Sequence, residues 1–490
     1  MVWVHGGGFI RGSGNSLTYG PDFFLSEDVV LVTFNYRLGV LGFLNMEIKD
    51  CQGNAGLKDQ VAALRWVAKE ISKFGGDPNS ITIFGQDSGA ASVNHLYLSP
   101  LTKDLFHRAI SQSGSSLTNL AYKESNYEYG VKLAEILGCP TSDANTIVSC
   151  LKNADINDLA IEQLNGRISL DNFQNLGGPF VPSLEKNLGE DMFLPMSPFD
   201  LIKNGCYKDI PYIFGLNNKE GGCLIKEFLV NNFSPRNDLK YLLPRGILET
   251  NSQETIDRIA SKLKGFYFGK ESQNTSNELD SLTNFLTDRF FSYDIIRTVH
   301  LLDSENVFLY YFQYEGNYVY KENLCRKYNI TGVCHGGELG YLFYSNYTTE
   351  GHDNLVIGSK DMVMLQRMVR LWTNFAKEGK PANNIKDPLL PVLWEPITKY
   401  LHQYLDINIE LNMTYDNLLQ SSVFLWDRLR HNPASFEVDL VSYKDDKDRE
   451  IETGYFIVGV FEVFLVIFLI ILMKYGDVCH REKRYHYELI

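Results

Sequence analysis

Apolar residues in the first hundred positions form short continuous runs separated by one helical stripe. Residues 1–4 and 29–36 (VVLVTFNY) are apolar runs of strand length, and the second is typical of a sheet strand buried on both faces. From 57 to 71 apolar residues recur at helical spacing, until the helix breaker FGGDP at 74–78. Another strand is predicted over 81–84. This alternation predicts an α/β fold with a parallel sheet and crossover helices.

The pattern beyond residue 115 is mainly helical and contains no internal repeat. Helices are predicted over 122–137, 157–164, most of 252–298 and 361–377, and a strand over 307–314. After about residue 430 the chain turns polar and charged, which indicates a juxtamembrane stalk over 431–454. We therefore expect one α/β domain over 1–430, followed by this stalk.

Residues 455–473 (YFIVGVFEVFLVIFLIILM) differ from everything before them. Apart from Glu462 and one glycine they are apolar, and their number is close to the about 20 residues that a helix needs to cross a bilayer. A core helix has one apolar stripe, whereas this segment is apolar all round. The sequence predicts a single transmembrane helix here, with 474–490 as a short cytoplasmic tail.

Five N-x-Ser/Thr sequons precede this segment and set the expected orientation. They begin at Asn232, Asn274, Asn329, Asn346 and Asn412. Glycosylation at these sites needs the secretory lumen, so we expect an extracellular or lumenal N-terminal domain in the plasma membrane or a secretory-pathway membrane. The formal net charge of −14 argues against a nucleic-acid partner, because phosphate binding needs a basic surface.

The N-terminus does not supply the targeting segment that a lumenal domain needs. Met1 opens directly into an apolar run, without a charged n-region or a cleavage site. Either the span at 455–473 acts as a late signal anchor, or the chain is truncated. We favour truncation, because residues 1–4 resemble the second half of a central strand.

Residues 81–92 (ITIFGQDSGAAS) carry the main candidate chemistry. A β-rich run meets Gly85, a second glycine follows at Gly89, and small residues lead into a helix-compatible segment. This is the outline of the G-x-S-x-G nucleophile elbow, in which a sharp strand-to-helix turn exposes a serine hydroxyl above the sheet. Here the middle position is Asp87, and a serine comes one place later, at Ser88.

Further motifs extend this likeness along the chain. They are HGGGF at 5–9, NYR at 35–37, GNAGLKDQ at 53–60, FGGDP at 74–78 and QSG at 112–114. Together they resemble the type B carboxylesterase/cholinesterase family, most nearly its insect carboxylesterases, from residue 1 to about residue 430. The resemblance implies the α/β-hydrolase fold, with a mostly parallel central sheet flanked by helices. It also implies family residues before the HGGGF loop, in agreement with truncation.

The resemblance assigns the other parts of an acyl-transfer site. Glu220, in KEG at 219–221, matches the acid of the family, and His335, in CHG at 334–336, matches its histidine. The order of nucleophile, acid and histidine is the one this fold uses. The backbone N–H groups of Gly7, Gly8 and Ser88 would form the oxyanion hole, which stabilises the negative carbonyl oxygen.

The cysteines are assigned only in part by the same resemblance. Cys139 and Cys150 match a disulfide-bonded loop pair of the family, and Cys325 and Cys334 are near enough in sequence to pair. The pairing of Cys51, Cys206 and Cys223 stays open. We expect neither a metal nor a cofactor.

Asp87 is the departure from the family pattern. A carboxylate lacks the hydroxyl that is deprotonated and acylated, and losing the serine of a comparable triad costs on the order of a millionfold in turnover. We expect Asp87 to be held ionised by the oxyanion-hole donors and by protonated His335. The leading interpretation is a membrane-anchored, non-catalytic ectodomain that binds a protein partner or sequesters a small hydrophobic ligand. Its layout resembles that of neuroligin-like and gliotactin-like adhesion proteins.

The alternative interpretation is an active hydrolase of esters or epoxides. Epoxide hydrolases and haloalkane dehalogenases of the same fold use an aspartate at the elbow, so Asp87, His335 and Glu220 would make such a triad. Those enzymes need separate groups to receive the leaving atom, and no motif here identifies them. On an ester, the aspartate would form a strained mixed anhydride.

Overall fold

A computed structural model describes residues 1–163, 178–189, 191–231, 233–269, 275–319, 324–348 and 355–433. Several predicted features lie outside the described residues. They are the stalk from 434 onward, the span at 455–473 with Glu462, the tail at 474–490, and the sequon residues Asn232 and Asn274. Within the described part of the chain, no helix has both the length and the apolar character needed to span a membrane.

Eight strands form one sheet in the described chain. They are β1 (Val2–Val4), β2 (Val32–Thr33), β5 (Thr82–Gln86), β6 (Arg108–Gln112), β7 (Tyr212–Asn217), β8 (Val307–Phe312), β9 (Tyr404–Ile407) and β10 (Leu411–Thr414). Their order in the sheet is β10-β9-β8-β7-β6-β5-β1-β2. All neighbours pair in parallel except β9 and β10, which are antiparallel. A separate antiparallel pair consists of β3 (Asn45–Ile48) and β4 (Cys51–Gln52). The predicted α/β class with a mostly parallel sheet is confirmed.

Helices connect these strands and cover both faces of the sheet. The α-helices are α1 (Asp22–Leu25), α2 (Gly39–Phe43), α3 (Ala55–Glu70), α4 (Ser88–Leu98), α5 (Tyr127–Ile136), α6 (Ala144–Leu151), α7 (Ile156–Glu162), α8 (Pro198–Lys203), α9 (Ile225–Val230), α10 (Pro235–Asp238), α11 (Arg245–Thr250), α12 (Gln253–Phe268), α13 (Thr275–Thr287), α14 (Tyr293–Leu301), α15 (Leu324–Lys327), α16 (Lys360–Glu378) and α17 (Gln420–His431). Short 3-10 helices occur at Ile71–Phe74, Pro100–Thr102, Glu220–Leu224, Leu239–Leu242 and Gly337–Tyr341, and one π-helical turn at Asp288–Ser292.

The core lies on both sides of the sheet because side chains alternate along its strands. Trp3 and Phe84 pack into the hydrophobic cluster that contains α16, whereas their strand neighbours Val4 and Ile83 pack into the cluster that contains α3 and α4. All four side chains are fully buried. This double coverage explains why the central strands are continuous apolar runs in the sequence.

Two predicted elements differ from the structure. The apolar run 29–36 predicts a strand that is buried on both faces, but only Val32–Thr33 pair, and they are half-buried. In the described chain β2 is the edge of the sheet and pairs only with β1, so it has no neighbour on its other side. The helix predicted from residue 122 begins at Tyr127, because Lys123 instead forms a β-bridge with Ser183.

Candidate active site

Asp87 is the single residue between β5 and α4, as the elbow pattern predicts. Its backbone has φ 59° and ψ −127°, a left-handed conformation that non-glycine residues rarely adopt. The flanking glycines allow β1 to pack against this turn. A Cβ atom on Gly85 would lie 2.7 Å from the carbonyl oxygen of Val4, and one on Gly89 would lie 2.1 Å from it. Larger residues are therefore excluded on both sides of Asp87.

The HGGGF loop places two backbone donors on the Asp87 side chain. The N–H groups of Gly7 and Gly8 donate to Oδ2 of Asp87 at 2.8 and 2.9 Å. The third expected donor, Ser88, begins α4 and is buried. The position that an oxyanion would occupy is therefore filled by an oxygen of the protein itself.

His335 stands between two carboxylates. Its Nδ1 lies 2.6 Å from Oε2 of Glu220, and its Nε2 lies 3.5 Å from Oδ1 of Asp87, which is an ion-pair distance. Glu220 is fully buried and accepts two further hydrogen bonds, from the Ser113 hydroxyl at 2.5 Å and from the Asn217 N–H at 2.6 Å. The three predicted triad positions thus come together in space.

The parallel sheet explains why these residues meet. Asp87, Glu220 and His335 follow the carboxyl ends of β5, β7 and β8, and such ends lie on one edge of a parallel sheet. One link then joins the loops of the acid and the histidine, a parallel β-bridge between Lys219 and Cys334. The disulfide between Cys334 and Cys325 closes the segment that carries the histidine on itself.

The electrostatics of the site favour an ionised Asp87 and a charged His335. Burial by itself would raise the pKa of Asp87, but the hydrogen bond and charge of His335 and the backbone N–H groups of Gly7 and Ser88 hold that pKa well below its usual range. Burial would lower the pKa of His335, but the adjacent carboxylates, Glu220 foremost, raise it well above its usual value. The pair is therefore an ion pair at neutral pH.

Gln86 is a neighbour of the histidine that the motif did not assign. Its Nε2 lies 2.8 Å from Nε2 of His335, an orientation that suits a neutral imidazole with its lone pair on that nitrogen. The two carboxylates favour the imidazolium instead, and a half-turn of the Gln86 amide presents Oε1 to the same N–H as an acceptor. Ser113 and Asn217 were likewise not assigned from sequence, although Ser113 belongs to the QSG motif at 112–114.

Comparison with known proteins identifies the family. A model of the carboxylesterase family matches residues 1–426. The chain belongs to the carboxylesterase family. This family member is 36% identical to Esterase FE4 of Myzus persicae over 409 residues, which cover 81% of this chain and 69% of that esterase. It is 34% identical to juvenile hormone esterase of Tribolium castaneum over 407 residues, which cover 78% of this chain and 67% of that protein.

A solved structure supports the α/β-hydrolase fold of this carboxylesterase-family chain. The crystal structure of juvenile hormone esterase from Manduca sexta, with OTFP covalently attached, matches with a TM-score of 0.73 at 28% identity. The match covers 88% of this chain and 80% of that chain. The fold expected from the resemblance is thus confirmed.

A cavity of about 170 Å³ lies beside Asp87 in this family member. Its lining includes the apolar side chains of Phe9, Ile10, Leu224 and Phe291, and the Phe291 ring centroid is 4.8 Å from that of His335. The free thiol of Cys223 also faces the cavity. Burial raises the pKa of this thiol to about 11, so it is protonated and a poor nucleophile at neutral pH.

Cysteines and sequons outside the site are partly accounted for. Cys139 and Cys150 form a disulfide, as do Cys325 and Cys334. The cysteines whose pairing was open, Cys51, Cys206 and Cys223, are free in the described chain. Three sequon asparagines, Asn329, Asn346 and Asn412, are exposed, and their glycosylation stays a prediction.

Proposed function

We propose that this carboxylesterase-family chain does not carry out acyl transfer and instead binds a ligand or a protein partner. The observation that carries the proposal is the pair of hydrogen bonds from Gly7 and Gly8 to Oδ2 of Asp87. An ester can be activated only if its carbonyl oxygen reaches such donors as it becomes negative. Asp87 stands where the family motif has serine, so it removes the nucleophilic hydroxyl and occupies the oxyanion hole at once.

The cavity beside Asp87 suits a small hydrophobic ligand. Its volume of about 170 Å³ is close to that of the engineered apolar cavity of about 150 Å³ that binds benzene. Phe9, Ile10 and Phe291 supply apolar surface, while the charges of Asp87 and His335 satisfy one another. A ligand held here would gain from apolar contact without meeting an activated nucleophile.

Two measurements test the loss of acyl transfer. The purified full chain should not hydrolyse p-nitrophenyl acetate above background, and Asp87→Ser should restore covalent reaction with an organophosphate probe. Asp87→Ala is the matched control, because it empties the oxyanion hole without adding a hydroxyl. The reaction of Asp87→Ser should disappear again in Asp87→Ser/His335→Gln.

Hydrolysis of p-nitrophenyl acetate by the wild-type chain, abolished by Asp87→Ala, would overturn the proposal. If folded Asp87→Ser does not react with the organophosphate probe, this would contradict the assumption that Glu220, His335 and the oxyanion loop can support acyl transfer once a serine is present.

A second candidate function, hydrolysis with Asp87 as the nucleophile, is favoured by the orientation of the carboxylate. Oδ2 is held by Gly7 and Gly8, whereas Oδ1 faces His335 at 3.5 Å. After attack by Oδ1 on an alkyl carbon, Oδ2 would become the ester carbonyl oxygen, already seated among its donors. Against this candidate, the described lining of the cavity contains no Tyr, Trp or Lys to receive the leaving atom, and its one guanidinium, that of Arg11, is exposed to solvent.

A panel of small epoxides and haloalkanes decides between the two candidates. The non-catalytic proposal predicts no turnover with any of them. The nucleophilic candidate predicts turnover that is lost in Asp87→Asn, with an alkylated Asp87 detectable by mass spectrometry in His335→Gln, where hydrolysis of the intermediate is blocked.

The same proposal includes a single membrane anchor at 455–473 and a lumenal or extracellular domain. The apolar segment and the five sequons support it. In membranes prepared from cells that express the full chain, the protein should resist extraction with alkaline carbonate. The same protein should lose mass on treatment with an N-glycosidase. Release by alkaline carbonate, or no change of mass, would contradict this placement.

A further inference from the structure

A second cavity, of about 430 Å³, lies between α11, the start of α14 and α17. It shares no lining residue with the cavity beside Asp87. Nothing in the elbow, the oxyanion loop or the triad positions uses this space. Its volume falls within the range of about 300–1,000 Å³ typical of small-molecule sites.

Arg289 is a nearly buried cation in the wall of this cavity. Its side chain is 5% exposed, and its Nε donates to the carbonyl oxygen of Leu242 at 2.8 Å. Its Nη2 is fully buried and has no hydrogen-bond partner among the residues that the structure describes. Burial lowers the pKa of the guanidinium to about 10, so it remains charged at neutral pH. The cavity therefore has a nearly buried positive charge in its wall, and an anion is the ligand that such a charge attracts.

The other charges around the cavity leave it positive. Exposed Arg430 lines it together with Arg289, and Asp294 is the one acidic residue of the described lining. Asp294 is buried, and burial raises its pKa. Beyond the lining, Asp427 accepts a hydrogen bond from the Tyr293 hydroxyl at 2.8 Å. Two cations against one acid favour an anionic ligand.

The remaining walls are apolar and aromatic. Trp426 and Ile247 are 3% and 7% exposed, and Tyr293 and Leu429 complete this side. A cavity with a buried guanidinium at one place and an indole and an isoleucine at another fits a molecule that has both a charged and an apolar part. Inorganic anions would leave most of these walls without contact.

We propose that this cavity binds a small organic monoanion, with its carboxylate between the guanidinium groups of Arg289 and Arg430, and its apolar part against Trp426 and Ile247. The inference is independent of the function proposed for Asp87, because the two cavities have separate linings.

Titration calorimetry of the full chain with 4-phenylbutyrate tests the proposal. We expect saturable binding at one site, at least tenfold tighter than binding of the neutral analogue 4-phenylbutanamide. Arg289→Met, which keeps a long apolar side chain, should weaken 4-phenylbutyrate binding at least tenfold and should abolish the preference over the amide. Arg430→Gln should weaken binding by a smaller factor, because that guanidinium is exposed.

A cavity-filling variant keeps the test independent of the fate of buried Arg289. Gly246 is an exposed residue of the lining, and a Cβ atom there would meet no atom of the described chain within 4 Å. A Trp side chain at this position should obstruct the cavity, so Gly246→Trp should abolish binding and leave the thermal unfolding temperature unchanged. Arg428→Gln is the matched control for Arg430→Gln, because Arg428 is exposed on the same helix and does not line the cavity. Its binding should equal that of the wild type.

The proposal is overturned by any of three results. These are the absence of saturable 4-phenylbutyrate binding, equal binding of the acid and the amide, and binding that survives in folded Gly246→Trp.

Discussion

His335 Nε2 lies 3.5 Å from Oδ1 of Asp87, while Oδ2 of the same carboxylate accepts the N–H groups of Gly7 and Gly8. One side chain therefore both fills the oxyanion position and supplies the counter-charge of the imidazole. On its other side His335 contacts Glu220, so the charges of the site are arranged as carboxylate, imidazolium and carboxylate. This arrangement makes the site electrostatically stable without a substrate.

The pKa of His335 should report both carboxylates. In Glu220→Gln and in Asp87→Asn we expect the raised pKa to fall, because each change removes a negative charge that stabilises the imidazolium. The fall should be larger in Glu220→Gln, since Glu220 is the dominant cause and is closer, at 2.6 Å against 3.5 Å. NMR titration of the imidazole measures both values. A larger effect of Asp87→Asn would contradict the geometry.

The contribution of Asp87 to stability should depend on pH in a defined direction. Its folded-state pKa lies below the unfolded value of about 3.9, so its stabilisation is present above that pH and is lost as the pH falls through the folded-state pKa. We expect wild type to exceed Asp87→Asn by about 1–3 kcal/mol in free energy of unfolding at pH 6. Urea denaturation from pH 6 to pH 3 should show this difference shrinking.

The raised pKa of His335 gives the matching limit at higher pH. Its stabilisation is present below the unfolded value of about 6.5 and is lost as the pH rises through its folded-state pKa. The difference between wild type and Asp87→Asn should therefore also decline in alkaline solution. A difference that stays constant from acid to alkali would exclude the ion pair as its source.

Gly89→Ala should destabilise the fold by about 1–3 kcal/mol or more, because the added methyl group would lie 2.1 Å from the Val4 carbonyl oxygen and force β1 away from the turn. Gly246→Ala is the control, since its Cβ would meet no atom of the described chain within 4 Å and the residue lies in a helix, where alanine is favoured. Chemical denaturation of the two variants measures the contrast. Equal stability of both would show that close packing at the elbow is not required.

The two disulfides should differ in their effect on the site but not in their effect on stability. They close loops of similar sequence separation, 9 residues for Cys325–Cys334 and 11 for Cys139–Cys150, so replacing either pair by serines should cost about 2–3 kcal/mol. Only loss of the Cys325–Cys334 disulfide should change the His335 imidazole resonances, because Cys334 directly precedes that histidine. An equal spectral change in the Cys139→Ser/Cys150→Ser variant would contradict this.

Local patterns were sufficient to predict the elbow. The run before Gly85, the second glycine at Gly89 and the small residues after it encode a strand, a sharp turn and a helix within less than twenty residues, and β5 and α4 lie there. The edge position of β2 was not predicted, because an apolar run of strand length does not reveal how many neighbours the strand will have. The second cavity, which Arg289 lines, could not be predicted from local sequence either, since its walls come from segments far apart in the chain.

The sequence by itself determined that Asp87 stands at the turn, that an acid and a histidine follow in the order of this fold, and that the chain has the motifs of its family. Only the tertiary structure decided where the two oxygens of Asp87 point. Oδ2 meets donors 80 and 79 positions earlier in the chain, and Oδ1 faces a histidine that follows a different strand. Such contacts depend on how the whole sheet is assembled, and no window of sequence around residue 87 contains that information.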